Sequence, residues 1–416
     1  MSSAEHGLDD KGLAVNTAGL PAHWYYDTDH YRRELRAIWY RQWVYVARSS
    51  EVSGARAFRA VALGDQQLLL VRDETGTLRG FHNTCRHRGA ALCRESAGRL
   101  ARAVIVCPYH AWVYGLDGAL QRTTSKRHAR GFEVADHPLY PVGVREWNGF
   151  VFVTLADSAP PLELSFDQAP ARFDAWHLGE LVVGHEFIKE IGCNWKVFWE
   201  NYNECLHCPG VHPQLSRLVP IFGRGLLEER DDPDWRAHAS DPDPKFKGGL
   251  RAGAVTWSMN GLASAAPFAD LDANDREAAH VYLTSLPSMF IVGHVDYVRV
   301  VRLLPLGPER TELRIEYLFS PATLASPGFD LANIVGFTNL VMSEDAEVCE
   351  LNQRGLHALP HAQGVLMPEE YLIEELHAWI RRQLGTPPRE SRAGPCTRSE
   401  FTRSAMDRIS SARENS

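Results

Sequence analysis

His82-Asn83-Thr84-Cys85-Arg86-His87-Arg88-Gly89-Ala90 and Val106-Cys107-Pro108-Tyr109-His110-Ala111-Trp112 each carry one cysteine–histidine pair. The first pair reads C-x-H and the second C-x-x-H, both in loops rich in Gly, Arg or Pro. Two thiolates and two imidazoles at this spacing can hold a metal centre between two loop tips. A [2Fe–2S] cluster can take two cysteines on one iron and two histidines on the other. Structural zinc accepts the same ligands, more often with the cysteines in one pair and the histidines in the other. Mixed pairs favour the cluster, and the structural context decides between them.

The texture around these loops is β-rich. From Trp43, short apolar runs alternate with Gly, Asp-Gly and Asp-Glu-Thr-Gly turns as far as 149–156, GFVFVTLA. Repeated short strands with turn signals predict a small all-β unit over 43–157. Residues 28–42, TDHYRRELRAIWYRQ, have helical spacing after a Thr/Asp start. They place a helical segment within 1–42 that packs on the later domain, with residues 1–20 loosely ordered. Pro160-Pro161 marks a boundary. A second domain over 158–385 begins with a strand-like run at 181–192 and a helical stretch at 194–208. A loop-rich surface segment follows at 228–250. Strands are expected at 281–292, 295–304 and 311–320, and helices at 328–355 and about 369–384. Strands followed by long helices make this half α+β. Residues 386–416 read as a polar tail. There is no G-x-G-x-x-G after a strand and no P-loop, so no dinucleotide fold is expected.

The 416 residues allow two domains. A net charge of −8 without a Lys/Arg run argues against nucleic acid. An acidic surface would suit a basic patch on a redox partner. No apolar run is long enough to span a bilayer. The start, MSSAEHGLDDKG, lacks a basic region followed by an apolar one, so a cytoplasmic location is expected. In a reducing compartment Cys93, Cys193, Cys205, Cys208, Cys349 and Cys396 are expected as free thiols.

Residues 194–213, NWKVFWENYNECLHCPGVHP, carry the second signal. His207 is placed near a helix end, Pro209 and Gly210 break the helix, and His212 follows after a turn. Asp345 on the later helix can add a carboxylate. Two histidines and one carboxylate make the facial triad of non-haem Fe(II) oxygenases. Glu344 is adjacent to Asp345, and on a helix only one of the two is expected to face the metal.

CRHRGA and CPYHAW, followed by E-x-x-H-x-x-x-x-H, resemble the Rieske non-haem iron oxygenase α subunits over about Trp43 to Gly355. The resemblance implies an all-β Rieske [2Fe–2S] domain joined to a helix-grip catalytic domain with an antiparallel sheet. It implies Cys85, His87, Cys107 and His110 as cluster ligands. His207, His212 and Asp345 match the mononuclear iron ligands, and Glu204 matches the acidic residue linking the two centres. Many ring-hydroxylating members have Asp there. Glutamate, within ENYxECxHCxxVHP, is closer to the branch acting on quaternary amines such as glycine betaine, stachydrine, carnitine and choline. The family works as an α₃ homotrimer, takes electrons from a separate NAD(P)H-dependent flavin/iron–sulfur reductase, and uses O₂.

Aromatic faces attract quaternary ammonium groups. Trp199, Tyr202, Trp257 and Phe268 are the candidate substrate residues, though aromatics in a β-rich domain are often core. The expected activity is hydroxylation or oxidative demethylation of a small organic substrate. An aromatic acid or a natural product is the alternative substrate. Two readings of another class remain, a Rieske electron carrier and a zinc-stabilised ligand-binding protein.

Overall fold

The computed structural model describes residues 12–385. The expected polar tail at 386–416 and the first eleven residues lie outside them.

The β-rich run folds into a seven-stranded sheet in the order Val44–Arg48, Phe150–Thr154, Pro141–Trp147, Leu78–His82, Gln66–Arg72, Ala57–Leu63, Ala97–Arg99. A three-stranded sheet, Val104–Val106, Val113–Gly115 and Leu120–Arg122, stands beside it. Phe58, Leu69, Val71, Phe81, Ile105 and Tyr114 pack with Cys85 and Cys107 in a core of their own.

The second half is built on a five-stranded antiparallel sheet. Its order is Val182–Ile191, Arg310–Phe319, Val298–Gly307, Met289–His294, His280–Ser285. The run expected as one strand at 281–292 is two strands, because Ser285-Leu286-Pro287-Ser288 turns the chain back on itself. Tyr45 and Val46 meet one face of this sheet. The Ser288 hydroxyl accepts from Tyr45 N at 2.9 Å, the Tyr45 hydroxyl donates to Glu316 at 2.6 Å, and Arg302 donates to Val46 O at 2.7 Å.

Helices cover the other face. The long helix is Leu331–Gly355, with Asp330 accepting from Asn333 N at 3.1 Å as its cap. Ile334, Met342, Ala346 and Cys349 bury into the same core as Phe290, Val301 and Ile315. Each fully buried aliphatic side chain of this kind contributes about 1.5–3 kcal/mol. Helix Trp195–Tyr202 packs against the long helix, and helix Tyr371–Gln383 against Trp195–Tyr202.

The N-terminal stretch differs from expectation in one respect. Thr17–Pro21 is a strand, paired antiparallel with Gln363–Leu366. The pairing is non-local, so the run itself gives no hairpin signal. Helix Thr28–Glu34, capped by Asp27, continues as a π-helical stretch over Leu35–Trp39. Glu34 ties it to the catalytic half. Lys196 Nζ reaches Glu34 at 2.7 Å and the Trp195 indole N–H donates to it at 2.9 Å, with Lys196 and Glu34 fully buried.

Candidate metal centres

The two Cys/His loops share one hydrogen-bond plan. Cys85 N donates to Ala90 O at 2.8 Å and Gly89 N to Cys85 O at 3.0 Å. In the other loop Cys107 N donates to Trp112 O at 2.8 Å and Ala111 N to Cys107 O at 3.0 Å. Each loop reverses through a left-handed residue, Gly89 at φ 75° and Ala111 at φ 51°. The loops therefore present matching pairs of ligands from opposite sides. Cys85 and Cys107 are buried and His87 is exposed at the tip. His87 Nδ1 and His110 Nδ1 point at each other 3.2 Å apart, and His87 stacks on Trp112 at 4.8 Å. The Tyr114 hydroxyl accepts from Arg86 N at 3.0 Å and lies 3.2 Å from Cys85 Sγ. Burial pushes the Cys85 thiol up, and the facing Cys107 adds to this against Tyr114. Two facing thiols below two facing imidazoles form the mixed sulfur–nitrogen set that a Rieske cluster takes.

The second centre sits past the end of helix Trp195–Tyr202. The helical stretch expected to run to 208 stops at Tyr202, where Asn203 N closes the last turn. Glu204 and His207 are therefore in a turn, and His207 leads into the short helix Cys208–Val211. That turn brings Cys205 and Cys208 to a Cα–Cα distance of 5.0 Å, within disulfide range, and they are bonded. This corrects the expectation that both are free thiols. Two residues three apart face each other once Cys208 N bonds Cys205 O at 2.9 Å.

His207, His212 and Asp345 converge, with one donor atom from each within 4.8 Å of the others. Asp345 Oδ1 lies 2.9 Å from His212 Nε2 and 3.5 Å from His207 Nε2, and the two Nε2 atoms are 3.2 Å apart. The outer nitrogens are taken. His207 Nδ1 donates to Glu204 at 2.5 Å and His212 Nδ1 to Glu344 at 2.8 Å. Carboxylates on both Nδ1 atoms hold the rings with Nε2 toward Asp345, in the orientation that would ligate a metal once it replaces the Nε2 proton. Burial would lower both imidazoles, but Asp345 and Glu204 outweigh it and push His207 up to about 9. Asp345 and Glu344 raise His212 likewise, and the two histidines hold Asp345 below the usual carboxylate range. The cluster thus favours a positive charge between its three donors. Two nitrogens and one carboxylate suit a non-haem Fe(II) site with open positions.

Both acidic residues face the site, which the sequence reading did not foresee. Asp345 approaches the Nε2 side and Glu344 the Nδ1 side of the same ring. Asn201, whose amide lies 3.3 Å from His207 Nε2, was also missed.

Residues 42–138 match the Rieske [2Fe-2S] domain, and residues 173–386 match the ring hydroxylating alpha subunit catalytic domain. The chain belongs to the ring hydroxylating alpha subunit family. As a member of that family it is an oxidoreductase, the oxygenase component of a system with a Rieske cluster and a mononuclear iron. It is 28% identical over 364 residues to a glycine betaine monooxygenase oxygenase subunit of Chromohalobacter salexigens, covering 83% of this chain and 81% of the relative. It is 27% identical to a carnitine monooxygenase oxygenase subunit of Acinetobacter baumannii, covering 84% and 89%. Its fold matches a quaternary ammonium Rieske monooxygenase at a TM-score of 0.68 and 22% identity, over 88% of this chain and 96% of that one.

The candidate substrate residues divide. Trp199 is fully buried in the core, its indole N–H donating to Pro287 O at 2.8 Å. Tyr202 stacks on Phe290 at 4.1 Å on the helix-covered face of the sheet. Trp257 is buried between Phe222, His280, His294 and Phe337. Phe268 lies in a loop, its N–H donating to Val295 O at 2.8 Å, and among the described ring contacts it meets none of the other three. No described helix is long and apolar enough to cross a membrane. The surface at the cluster tip is basic, since Arg86 and Arg127 line the groove beside His87 and Arg88 lies over Tyr109. An acidic docking face is therefore not what surrounds His87.

Proposed function

We propose that the chain is the terminal oxygenase of a multicomponent system that hydroxylates or demethylates a quaternary ammonium compound. Convergence of His207 Nε2, His212 Nε2 and Asp345 Oδ1, with carboxylates behind both rings, carries this reading. The names of the two relatives support the substrate class.

Cys85, Cys107, His87 and His110 hold the cluster, and His207, His212 and Asp345 hold the iron. The bound metals supply single electrons and a site where O₂ is activated. Glu204 and Glu344 hold the imidazoles in one tautomer and orientation. Glu204 also provides the link to the cluster of a neighbouring subunit in a homotrimer. Its bonds within one chain go to His207, while His87 stands exposed, which suits contact between subunits. A separate NAD(P)H-dependent reductase supplies electrons in the cytoplasm, and the basic tip around His87 suits an acidic partner.

The test is O₂ consumption with NADH and a reductase against glycine betaine, carnitine, choline and an aromatic acid. The reading expects O₂ uptake matched by product for at least one quaternary amine, with formaldehyde released if the methyl group is lost. Turnover of the aromatic acid alone would sink it.

A further inference from the structure

Arg299 is the exception among the buried arginines. Arg302 pairs with Glu312, Arg314 with Glu51, Glu186 and Glu316, and Arg381 with Glu374, while Arg48 donates to the carbonyls of Leu178 and Leu181. Arg299 is equally buried, at 4% exposure. Among the described residues no carboxylate pairs with it, and its guanidinium lies 5.7 Å from the Trp257 ring. The nearby carboxylate of Asp296 is already taken by Thr256 at 2.7 Å and Ser264 N at 3.0 Å. A buried cation without a partner is costly and uncommon.

Strand register shows where Arg299 points. Tyr282, Val292, Arg299 and Tyr317 are directly opposite one another across four strands, so they share one face. Tyr317 donates on that face to Asn339 of the long helix, 2.8 Å away. Arg299 thus lies between the sheet and the long helix. Trp257 contacts Phe337, and Phe337, Val341 and Asp345 follow at four-residue steps along one helix stripe. The Trp257–Arg299 end is then on the order of 12 Å along the helix from Asp345.

The groups around Arg299 share one deficiency. Trp257 Nε1 is buried without a partner, and the His280 and His294 rings meet only the backbone of Ala278 and Ala279. Burial keeps both imidazoles neutral, with His280 lowered to about 4 and His294 held well below its ordinary value, so each carries one N–H. The cluster has donors and a positive charge, and it lacks an anionic acceptor.

We propose that Arg299, with Trp257 and the two histidines, binds a carboxylate of the substrate. This rests on the quaternary ammonium reading and narrows it to zwitterions carrying a carboxylate. The trimethylammonium group lies toward the iron ligands, at the end of the zwitterion away from its carboxylate. Glycine betaine and carnitine fit this arrangement, and choline, which has a hydroxyl in place of the carboxylate, does not.

The experiment is equilibrium dialysis of the anaerobic holoprotein with labelled glycine betaine, carnitine, choline and benzoate, for the wild type and Arg299→Gln. The unchanged visible spectrum of the cluster reports an intact fold. We expect a betaine to bind about 10- to 100-fold more tightly than choline, and Arg299→Gln to remove that preference while leaving choline unaffected. If Arg299→Gln does not fold, Arg299→Lys is read instead: loss of most carboxylate affinity with choline unchanged supports the site. Equal binding of choline and the betaines by the wild type overturns the anion site and leaves the quaternary ammonium reading intact. Equal loss of all ligands in the variant also overturns it, making Arg299 structural. Benzoate binding that depends on Arg299, with no quaternary amine bound, supports the anion site and sinks the substrate reading. Wild type that binds no carboxylate overturns the proposal.

Discussion

Glu344 accepts from His212 Nδ1 at 2.8 Å, while its neighbour Asp345 faces Nε2 of the same ring at 2.9 Å. Consecutive residues on one helix thus hold opposite edges of one imidazole. They differ in role because only Asp345 also approaches His207. Asp345→Ala is expected to release the mononuclear iron and leave the cluster spectrum intact. Glu344→Ala is expected to weaken iron binding about 10- to 100-fold without abolishing it, since the tautomer and orientation of His212 are no longer fixed. Iron analysis after dialysis against a chelator checks both. Equal loss in the two variants would mean that Glu344 is itself a ligand.

Glu204→Gln separates metal binding from turnover. Its carboxylate accepts from His207 Nδ1 at 2.5 Å and His207 N at 3.3 Å. The amide keeps the shape and loses the charge and one acceptor. We expect both metals to remain and most activity to be lost, with slow re-oxidation of a reduced cluster in single-turnover mixing with O₂ and substrate. Wild-type re-oxidation would remove Glu204 from the link between centres.

The Tyr114 hydroxyl beside Cys85 tunes the cluster. A hydrogen bond to a cluster sulfur withdraws charge and raises the potential. One such bond, about 1 kcal/mol, corresponds to about 40 mV for one electron. Tyr114→Phe should lower the midpoint by roughly that amount in a redox titration followed by the visible spectrum. An unchanged potential would show that the hydroxyl serves Arg86 N alone.

His280 gives stability a defined pH dependence. Burial, with a smaller contribution from Arg299, lowers it to about 4, against an unfolded value of 6.5. The unfolded chain therefore binds a proton between pH 6.5 and about 4 that the folded chain refuses. Stability conferred by the neutral ring is complete above pH 6.5 and falls as the pH drops toward 4. At about 1.4 kcal/mol per pH unit, the loss approaches roughly 3 kcal/mol. His280→Asn should flatten this part of the curve, measured as the urea midpoint from pH 7 to 4.5. A parallel fall in wild type and variant would assign the acid sensitivity to other groups.

The loops that would hold the metals were legible in the sequence because they are local. C-x-H, C-x-x-H and E-x-x-H-x-x-x-x-H are held by tight turns whose geometry follows from a few neighbouring residues. Even so, the turn containing His207 was placed on a helix, since the apolar spacing of 195–202 continues past the point where Tyr202 ends it. Chain order and composition also set the fold class, as the β-rich first half and the strand-then-helix second half differ in period.

What the tertiary structure decided was pairing across long separations. Sequence spacing alone cannot assign Glu344 and Asp345 to opposite edges of a ring 132 and 133 residues away. Nor can it show that Trp199 is buried against Pro287 and Trp257 beside Arg299, because both are simply aromatic. Arg299 reads as one more charged residue in a strand. Its lack of a partner appears only when the register puts it on the covered face and every other buried arginine is seen to meet a carboxylate or a carbonyl. Ligand identity is carried by local chemistry, whereas burial and the missing partner are properties of the assembled core.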